Sequence, residues 1–424
     1  MVILQAASSS LQPREARDVP DLLLLCHRIP YPPDKGDKIR SYRWLMALAQ
    51  QYRVHLGAFV DDASDWAHLE QLRCLCAEIC LRPLPPLRAR LRGLSALFTG
   101  GPLTVACYRD HHMAAWVDGL AARRHLSHVV VFSSAMAQYA PLRRDGRGPR
   151  CVLDFVDVDA DKWAQFARRS RWPMAWLYAR ESRTLLSHDS RVAQASAASL
   201  FVSAPETALF KELSGVETPL TAVPNGVDVT YFAPCSARPS PFADDATAIV
   251  FTGAMDYWAN IDAVRWFAAA VWPLLRERHP HLRFYVVGAR PSRQVRALAC
   301  DDIVVSGRVP DVRPYLQHAA AVVAPMRIAR GIQNKLLEGM AMARPVVTTS
   351  MGLQGLDAVP GRHLLVADEP MAMADGISAI LHGAYGDLGV RARGLVCDQY
   401  DWPAAMARFL AVVAGDKAIA ELSA

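Results

Sequence analysis

The chain has 424 residues, of which 52% are hydrophobic and 21% charged, and its net charge is +6. That length exceeds what one hydrophobic core usually serves, and the composition excludes a disordered chain. The modest positive charge, almost all of it arginine, argues against a nucleic-acid coat and for local anion recognition by guanidinium forks.

Residues 1–20 read as a mobile tail, and "MVIL" lacks both the basic region and the apolar length of a secretory signal. No apolar run reaches the length that spans a bilayer, so the expectation is a soluble or peripheral protein. Nine cysteines, an odd number scattered along the chain, read as reduced thiols in a cytoplasm. Cys74, Cys76 and Cys80 cluster in "CLCAEIC", but no fourth ligand stands at metal-site spacing. They are expected as buried small side chains on a helix.

Short apolar runs alternate with helix-period stretches from residue 21 onward. Candidate strands are "DLLLLC" (21–26), "RVHLGAFV" (53–60), "HVVVF" (128–132), "CVLDFV" (151–156) and "SLFV" (199–202). After the turn "AVPNGVD" (222–228) come "AIVFTG" (248–253), "LRFYVVG" (282–288), "DIVVSG" (302–307), "AAVVAP" (320–325) and "RPVVTT" (344–349). Continuous β-branched runs separated by amphipathic helices signal parallel sheets covered on both faces. The predicted fold is α/β, with two doubly wound, Rossmann-like domains facing across a cleft. The expected boundaries are 21–222, 223–400 and a closing helix in 401–424 that packs back on the first domain. Its apolar stripe is expected at Phe409, Leu410 and Val413. In such folds ligands bind at the carboxyl ends of the strands.

Those strand ends carry the candidate residues. After the first strand, "HRIPYPPDKGDKIRSYRWLMALA" stiffens its loop with prolines and opens a helix near Asp37. Gly36 permits close backbone approach. The predicted apolar face of the helix is Ile39, Tyr42, Met46 and Ala49. Lys35, Lys38 and Arg40 gather at its start, where the helix dipole favours anions, although charges there are often only solvated. His27, at the strand end, is either a general base or a structural histidine. In "DFVDVDADKW", Asp157, Asp159 and Lys162 follow the fifth strand. The Asp-x-Asp pair could chelate a divalent ion, but carboxylates accepting from substrate hydroxyls suit a doubly wound domain better.

"RGIQNKLLEGMAMARPVV" (330–347) puts Lys335 and Glu338 at a helix start between two strands. They are either a surface ion pair one turn apart or parts of an anion site. A helix N-terminus offers unpaired N–H groups and partial positive charge, and Lys335, Arg327 and Arg330 could add what a metal supplies elsewhere.

Taken together, "VPNGVDVTYF", "FTGAMDYWANIDAVRWF", "VVGARP", "VSGRVPDVRPYL" and "ARGIQNKLLEGMAMARPVV" resemble the GT-B glycosyltransferases of family 4. "HRIPYPPDKGDKIRS" and "DFVDVDADKWAQFA" narrow the resemblance to the sugar transferases associated with exosortase (PEP-CTERM) exopolysaccharide systems. The resemblance spans roughly 21 to 412. It implies retaining transfer of a sugar from a nucleoside-diphosphate donor, with no cofactor beyond that substrate. In that pattern Gly253 and Gly288 let backbone approach the nucleotide, and Gly307, Arg308 and Val309 flank the base. Gly331, Ile332, Gln333, Asn334 and Lys335 cradle the diphosphate, with Arg327 nearby, and Glu338 accepts from ribose hydroxyls. The family often has a further glutamate where this chain has Arg330. Lys335, Glu338 and Arg330 are the expected catalytic set. Gly36, Asp37, Lys38, Arg40, Asp157, Asp159 and Lys162 are the expected acceptor side.

Two stretches, 81–98 and 166–181, interleave arginines with Trp, Leu and Phe, a pattern suited to anionic membrane surfaces or to a core with a solvated flank. A lipid-linked or glycan acceptor at the inner face of the cytoplasmic membrane fits the first reading. Competing functions are a GT-B-fold sugar-nucleotide epimerase and a non-catalytic scaffold that holds a sugar nucleotide. No nucleic acid is expected as partner. A nicotinamide enzyme is set aside because no G-x-G-x-x-G follows the first strand.

Overall fold

A computed structural model of the chain describes residues 19–33, 36–141, 148–243, 246–329 and 331–416. The chain divides into two compact units, residues 2–223 with 406–424, and residues 224–405.

The first unit is built on seven strands: β1 Asp21–Cys26, β2 Arg53–Val60, β3 Glu78–Pro83, β4 Leu126–Phe132, β5 Arg150–Val156, β6 Ala198–Phe201 and β7 Leu220–Ala222. They pair in the order β3-β2-β1-β4-β5-β6-β7, and every neighbouring pair is parallel. Leu22 through Cys26 are fully buried, as a central strand covered on both faces requires. β1 pairs with both β2 and β4, Leu24 lying opposite Leu56 on one side and Val130 on the other.

The second unit has six strands: β8 Thr247–Thr252, β9 Leu282–Val287, β10 Ile303–Gly307, β11 Ala321–Ala324, β12 Val346–Thr348 and β13 Leu365–Val366. Their order is β10-β9-β8-β11-β12-β13, again all parallel. The core gathers Ile249, Phe251, Phe284, Val322, Leu336 and Val346 from both sides of the sheet. Gly288, just past β9, is dictated by close approach. A Cβ there would stand 1.6 Å from the carbonyl oxygen of Gly253, so any side chain would prise the two strand ends apart.

Both doubly wound sheets follow from the apolar alternation, but several local details differ. β3 escaped the sequence reading because it is an edge strand with no fully buried residue and so lacks a long apolar run. The cysteine cluster is therefore not helical. Cys74 and Cys76 follow the short Leu69–Arg73 helix, and Cys80 lies in β3.

The Gly36–Ala49 helix buries Lys38, Arg40, Ser41, Trp44, Leu45, Ala47 and Leu48. Ile39, Tyr42, Met46 and Ala49 are only partly buried. The buried face is rotated from the expected one because Lys38 and Arg40, expected on the acceptor side, occupy the interior. In the last helix, Trp402–Ala414, Trp402, Ala405, Phe409, Val412 and Val413 are buried, while Leu410 is half-buried. Phe409 stacks on Trp44, with ring centroids 4.2 Å apart.

Candidate active site

In a doubly wound sheet, the crevice forms where strand order reverses, outside the carboxyl ends of the two strands that flank the reversal. In the second unit that point lies between β8 and β11. The Asn334–Ala341 helix follows β11, so the chain itself sends Lys335 to that place.

Lys335 is buried, with 9% of its surface exposed. Its Nζ donates to Gln333 Oε1 at 3.3 Å and approaches Met326 Sδ, just past β11, at 3.8 Å. It also stands 5.5 Å from the ring centroid of Phe251 in β8. A thioether, a ring and an amide oxygen do not neutralise an ammonium. Burial accordingly pushes the Lys335 pKa down to about 8, against the opposing charge of Glu338. Burial likewise pushes the Glu338 carboxyl up to about 7, against Lys335. Among the described residues no ion pair within 4.0 Å joins the two, and no hydrogen bond engages the Glu338 carboxylate. The surface-pair reading therefore fails on both burial and distance.

The helix start is equally open. Its N-cap, Gln333, makes no side-chain cap bond, so the first-turn N–H groups lack that partner. Gly331 turns the loop with φ +60, a conformation that favours glycine. Ile332 is buried, and Gln333 donates from Nε2 to the Gly331 carbonyl. Among the described residues of this unit, three buried side-chain oxygens lack a hydrogen-bond partner: Asn334 Oδ1, Thr252 Oγ1 at the tip of β8, and Asn260 Oδ1.

The remaining expected donor residues are more mixed. Gly253 and Gly307 end β8 and β10 with positive φ. Arg308 is exposed, and Val309 packs against the core. Arg327, expected as a free cation near the diphosphate, is instead held by Asp262, with Nε–Oδ2 at 3.0 Å and Nη2–Oδ1 at 2.5 Å. Sixty-five positions separate the partners, so sequence spacing could not reveal the pair. Arg330 lies outside the described residues.

In the first unit two of the expected cations, Lys38 and Arg40, are structural. Lys38, 1% exposed, bonds Asp65 at 2.6 Å. Arg40, fully buried, bonds both Asp154 oxygens, at 2.7 and 3.2 Å, and the Val223 carbonyl at 2.8 Å. Trp44 Nε1 adds a third bond to Asp154, at 2.6 Å. Lys38 and Arg40 are thus internal ion pairs and not an anion-binding helix start. Lys35 lies outside the described residues. Lys162 bridges Asp157 and Asp159, at 2.8 Å to each, and the two carboxylates outweigh burial to hold its proton more tightly. Among the described residues no group of three His, Cys, Asp or Glu is arranged to hold a metal ion.

Where the first sheet reverses, between β1 and β4, His27 stacks on Phe132 with centroids 5.7 Å apart and places Nε2 3.4 Å from Asp37 Oδ2. Its Nδ1 is buried without a partner. Gly36, exposed, opens the helix that carries Asp37. Arg28 ties Asp37 at 2.9 Å and Asp61 at 3.0 Å, contacts that sequence spacing did not reveal because one carboxylate opens the Gly36–Ala49 helix and the other lies just past β2. Burial alone would raise the Asp37 carboxyl, but bonds and charge from His27 and Arg28 outweigh it and hold it below the usual carboxylate range.

Comparisons with known proteins agree with this fold. No curated protein matches the sequence. Among solved structures, sucrose-phosphate synthase from Thermosynechococcus elongatus is similar with a TM-score of 0.68 at 16% identity, covering 93% of this chain and 98% of that one. Anabaena HepE, solved with UDP and glucose, has a TM-score of 0.64 at 13% identity, covering 93% and 100%. An α,α-trehalose-phosphate synthase (UDP-forming) from Burkholderia vietnamiensis has 0.60 at 12%, covering 93% and 100%. Residues 246–383 match the family model of the glycosyl transferases group 1. That segment, which contains Lys335 and Glu338, is similar to the group 1 glycosyl transferases, and the enzyme class of the chain is that of a glycosyltransferase.

Proposed function

We propose that the chain transfers a sugar, with retention, from a nucleoside-diphosphate sugar to a glycan or lipid-linked acceptor in exopolysaccharide biosynthesis. The observation that carries this reading is Lys335, a buried ammonium with no carboxylate within ion-pair distance, at the strand-order reversal beside an uncapped helix start. A diphosphate supplies the missing anion. As the sugar leaves, negative charge grows on that diphosphate, and Lys335 with the first-turn N–H groups is preorganised to hold it. Glu338, without a hydrogen bond of its own, is free to accept from the ribose hydroxyls. Gly331 to Asn334 form the cradle, with Arg308 and Val309 beside the base. Gly253 and Gly288 keep the strand tips low.

Retention and the exopolysaccharide role rest on the resemblance of the motifs around residues 27–41, 154–167 and 330–347. On the acceptor side we assign Gly36, Asp37, Asp157, Asp159 and Lys162, whose polar groups can meet sugar hydroxyls. The Anabaena neighbour's complex with UDP and glucose makes uridine diphosphate and its sugars the first donors to try.

The test is a thermal-shift panel of nucleoside diphosphates and their sugars, since a ligand that prefers the folded state raises the melting temperature. Stabilisation by one nucleoside diphosphate, followed by slow hydrolysis of its sugar without acceptor, supports the enzyme. Stabilisation without any hydrolysis points to the scaffold reading, and no stabilisation by any member removes the donor site.

A further inference from the structure

The Pro86–Thr99 helix is turned inside out. Its small residues Ala89, Gly93 and Ala96 are buried, and a Cβ on Gly93 would stand 2.8 Å from Cys107 Sγ. Its large apolar residues face outward: Leu87 is 76% exposed, Leu91 67%, Leu94 48% and Phe98 92%. The spacings of four, three and four place them in one stripe along the helix. A helix that only needed to fold would bury the large side chains and expose the small ones.

A second apolar group lies on the neighbouring element. Trp172, Met174 and Trp176, in the turn into the Met174–Gln194 helix, are all exposed. That helix is fastened to the first one: Arg180 donates to the Ala96 carbonyl at 2.8 Å, one turn beyond Trp176. Three exposed arginines, Arg168, Arg169 and Arg171, directly precede the aromatic turn.

Charge selects the occupant. Residues 79–109 and 163–180 together hold nine arginines and no acidic residue, while the whole chain carries only +6, so the remainder is net negative. A second copy of the chain would set arginines against arginines. An anionic lipid surface offers the opposite charge, an apolar layer for leucine and phenylalanine, and the interfacial zone that tryptophan favours.

We propose that these two elements form a docking face for an anionic membrane, by which the enzyme reaches a lipid-linked acceptor. The use of the face rests on the functional reading above, but the docking itself does not. No helix among the described residues is long and apolar enough to cross a membrane.

Vesicle flotation of the full chain tests it, with vesicles of phosphatidylglycerol and phosphatidylcholine compared with phosphatidylcholine alone. Binding is expected only to the anionic vesicles, and to weaken as salt is raised. Replacing Arg168, Arg169 and Arg171 together by Gln should cut partitioning by roughly 10²-fold. Leu91→Ser with Phe98→Ser should cut it by about tenfold or more. All five side chains are solvent-facing, so melting temperatures should stay level. Failure of the wild type to float at low salt overturns the proposal. So does a wild-type dimer that Leu91→Ser with Phe98→Ser makes monomeric. The UDP-induced shift, measured on the same samples, separates the two claims. A chain stabilised by UDP but indifferent to vesicles refutes only the docking face. One that floats but ignores every nucleotide refutes only the donor site.

Discussion

The two units treat their most buried cations in opposite ways. In the first unit, the buried Lys38 and Arg40 each hold a carboxylate, at 2.6 and 2.7 Å. In the second, Lys335 is also buried, with 9% of its surface exposed, but faces a thioether, a ring and an amide. A buried ion pair satisfied within the chain specifies the fold. A buried cation left unsatisfied costs stability, and that cost is tolerated where a ligand removes it. Satisfaction of charge, more than its presence, separates structural residues from candidate functional ones here.

The largest expected effect tests the structural half of this contrast. Arg40→Met strips the partner from a fully buried Asp154, and should destabilise the protein by roughly 3–5 kcal/mol in urea unfolding. A loss below about 1 kcal/mol, the scale of an exposed pair, would mean that Arg40 is solvated and the contrast is false.

Lys335→Met tests the other half. Removing a buried, uncompensated charge should leave the ligand-free melting temperature level or slightly raised. Transfer should slow by roughly 10²–10³, the scale for losing one preorganised transition-state contact. A destabilised variant with near-normal turnover would falsify the diphosphate cradle.

Glu338→Gln keeps shape and loses charge. Donor affinity, measured by calorimetry, should weaken by roughly 1.5–3 kcal/mol, as for a hydrogen bond to a charged group. Unchanged affinity would return Glu338 to a merely structural place in its helix.

The pH dependence sharpens the same pair. Diphosphate binding needs Lys335 protonated, so affinity should fall as pH rises through about 8. Glu338 accepts as a carboxylate, so affinity should also fall as pH drops through about 7. The optimum therefore lies between these values, with losses of up to roughly tenfold one pH unit beyond either. Lys335→Met should erase the alkaline limb and Glu338→Gln the acid one. A flat profile across this range would remove both groups from the site.

From the sequence alone came the two parallel sheets, because buried parallel strands need continuous β-branched runs and their crossovers need amphipathic helices. It also placed "GIQNK" at the start of a helix, since a glycine before that helix marks a turn. The arginine-rich apolar stretch at 81–98 was legible as well, its leucines and Phe98 recurring at helical spacing. Only the tertiary structure decided which charges were spent. Arg40 meets Asp154 across 114 positions, Arg327 meets Asp262 across 65, and Lys38 meets Asp65 across 27, and no local pattern encodes such meetings. The same pairings rotated the buried face of the Gly36–Ala49 helix, because a paired cation can occupy the interior. Coverage, too, is a tertiary property: spacing defines an apolar stripe, but only the packing of Ala89, Gly93 and Ala96 against the body left Leu87, Leu91 and Phe98 facing out.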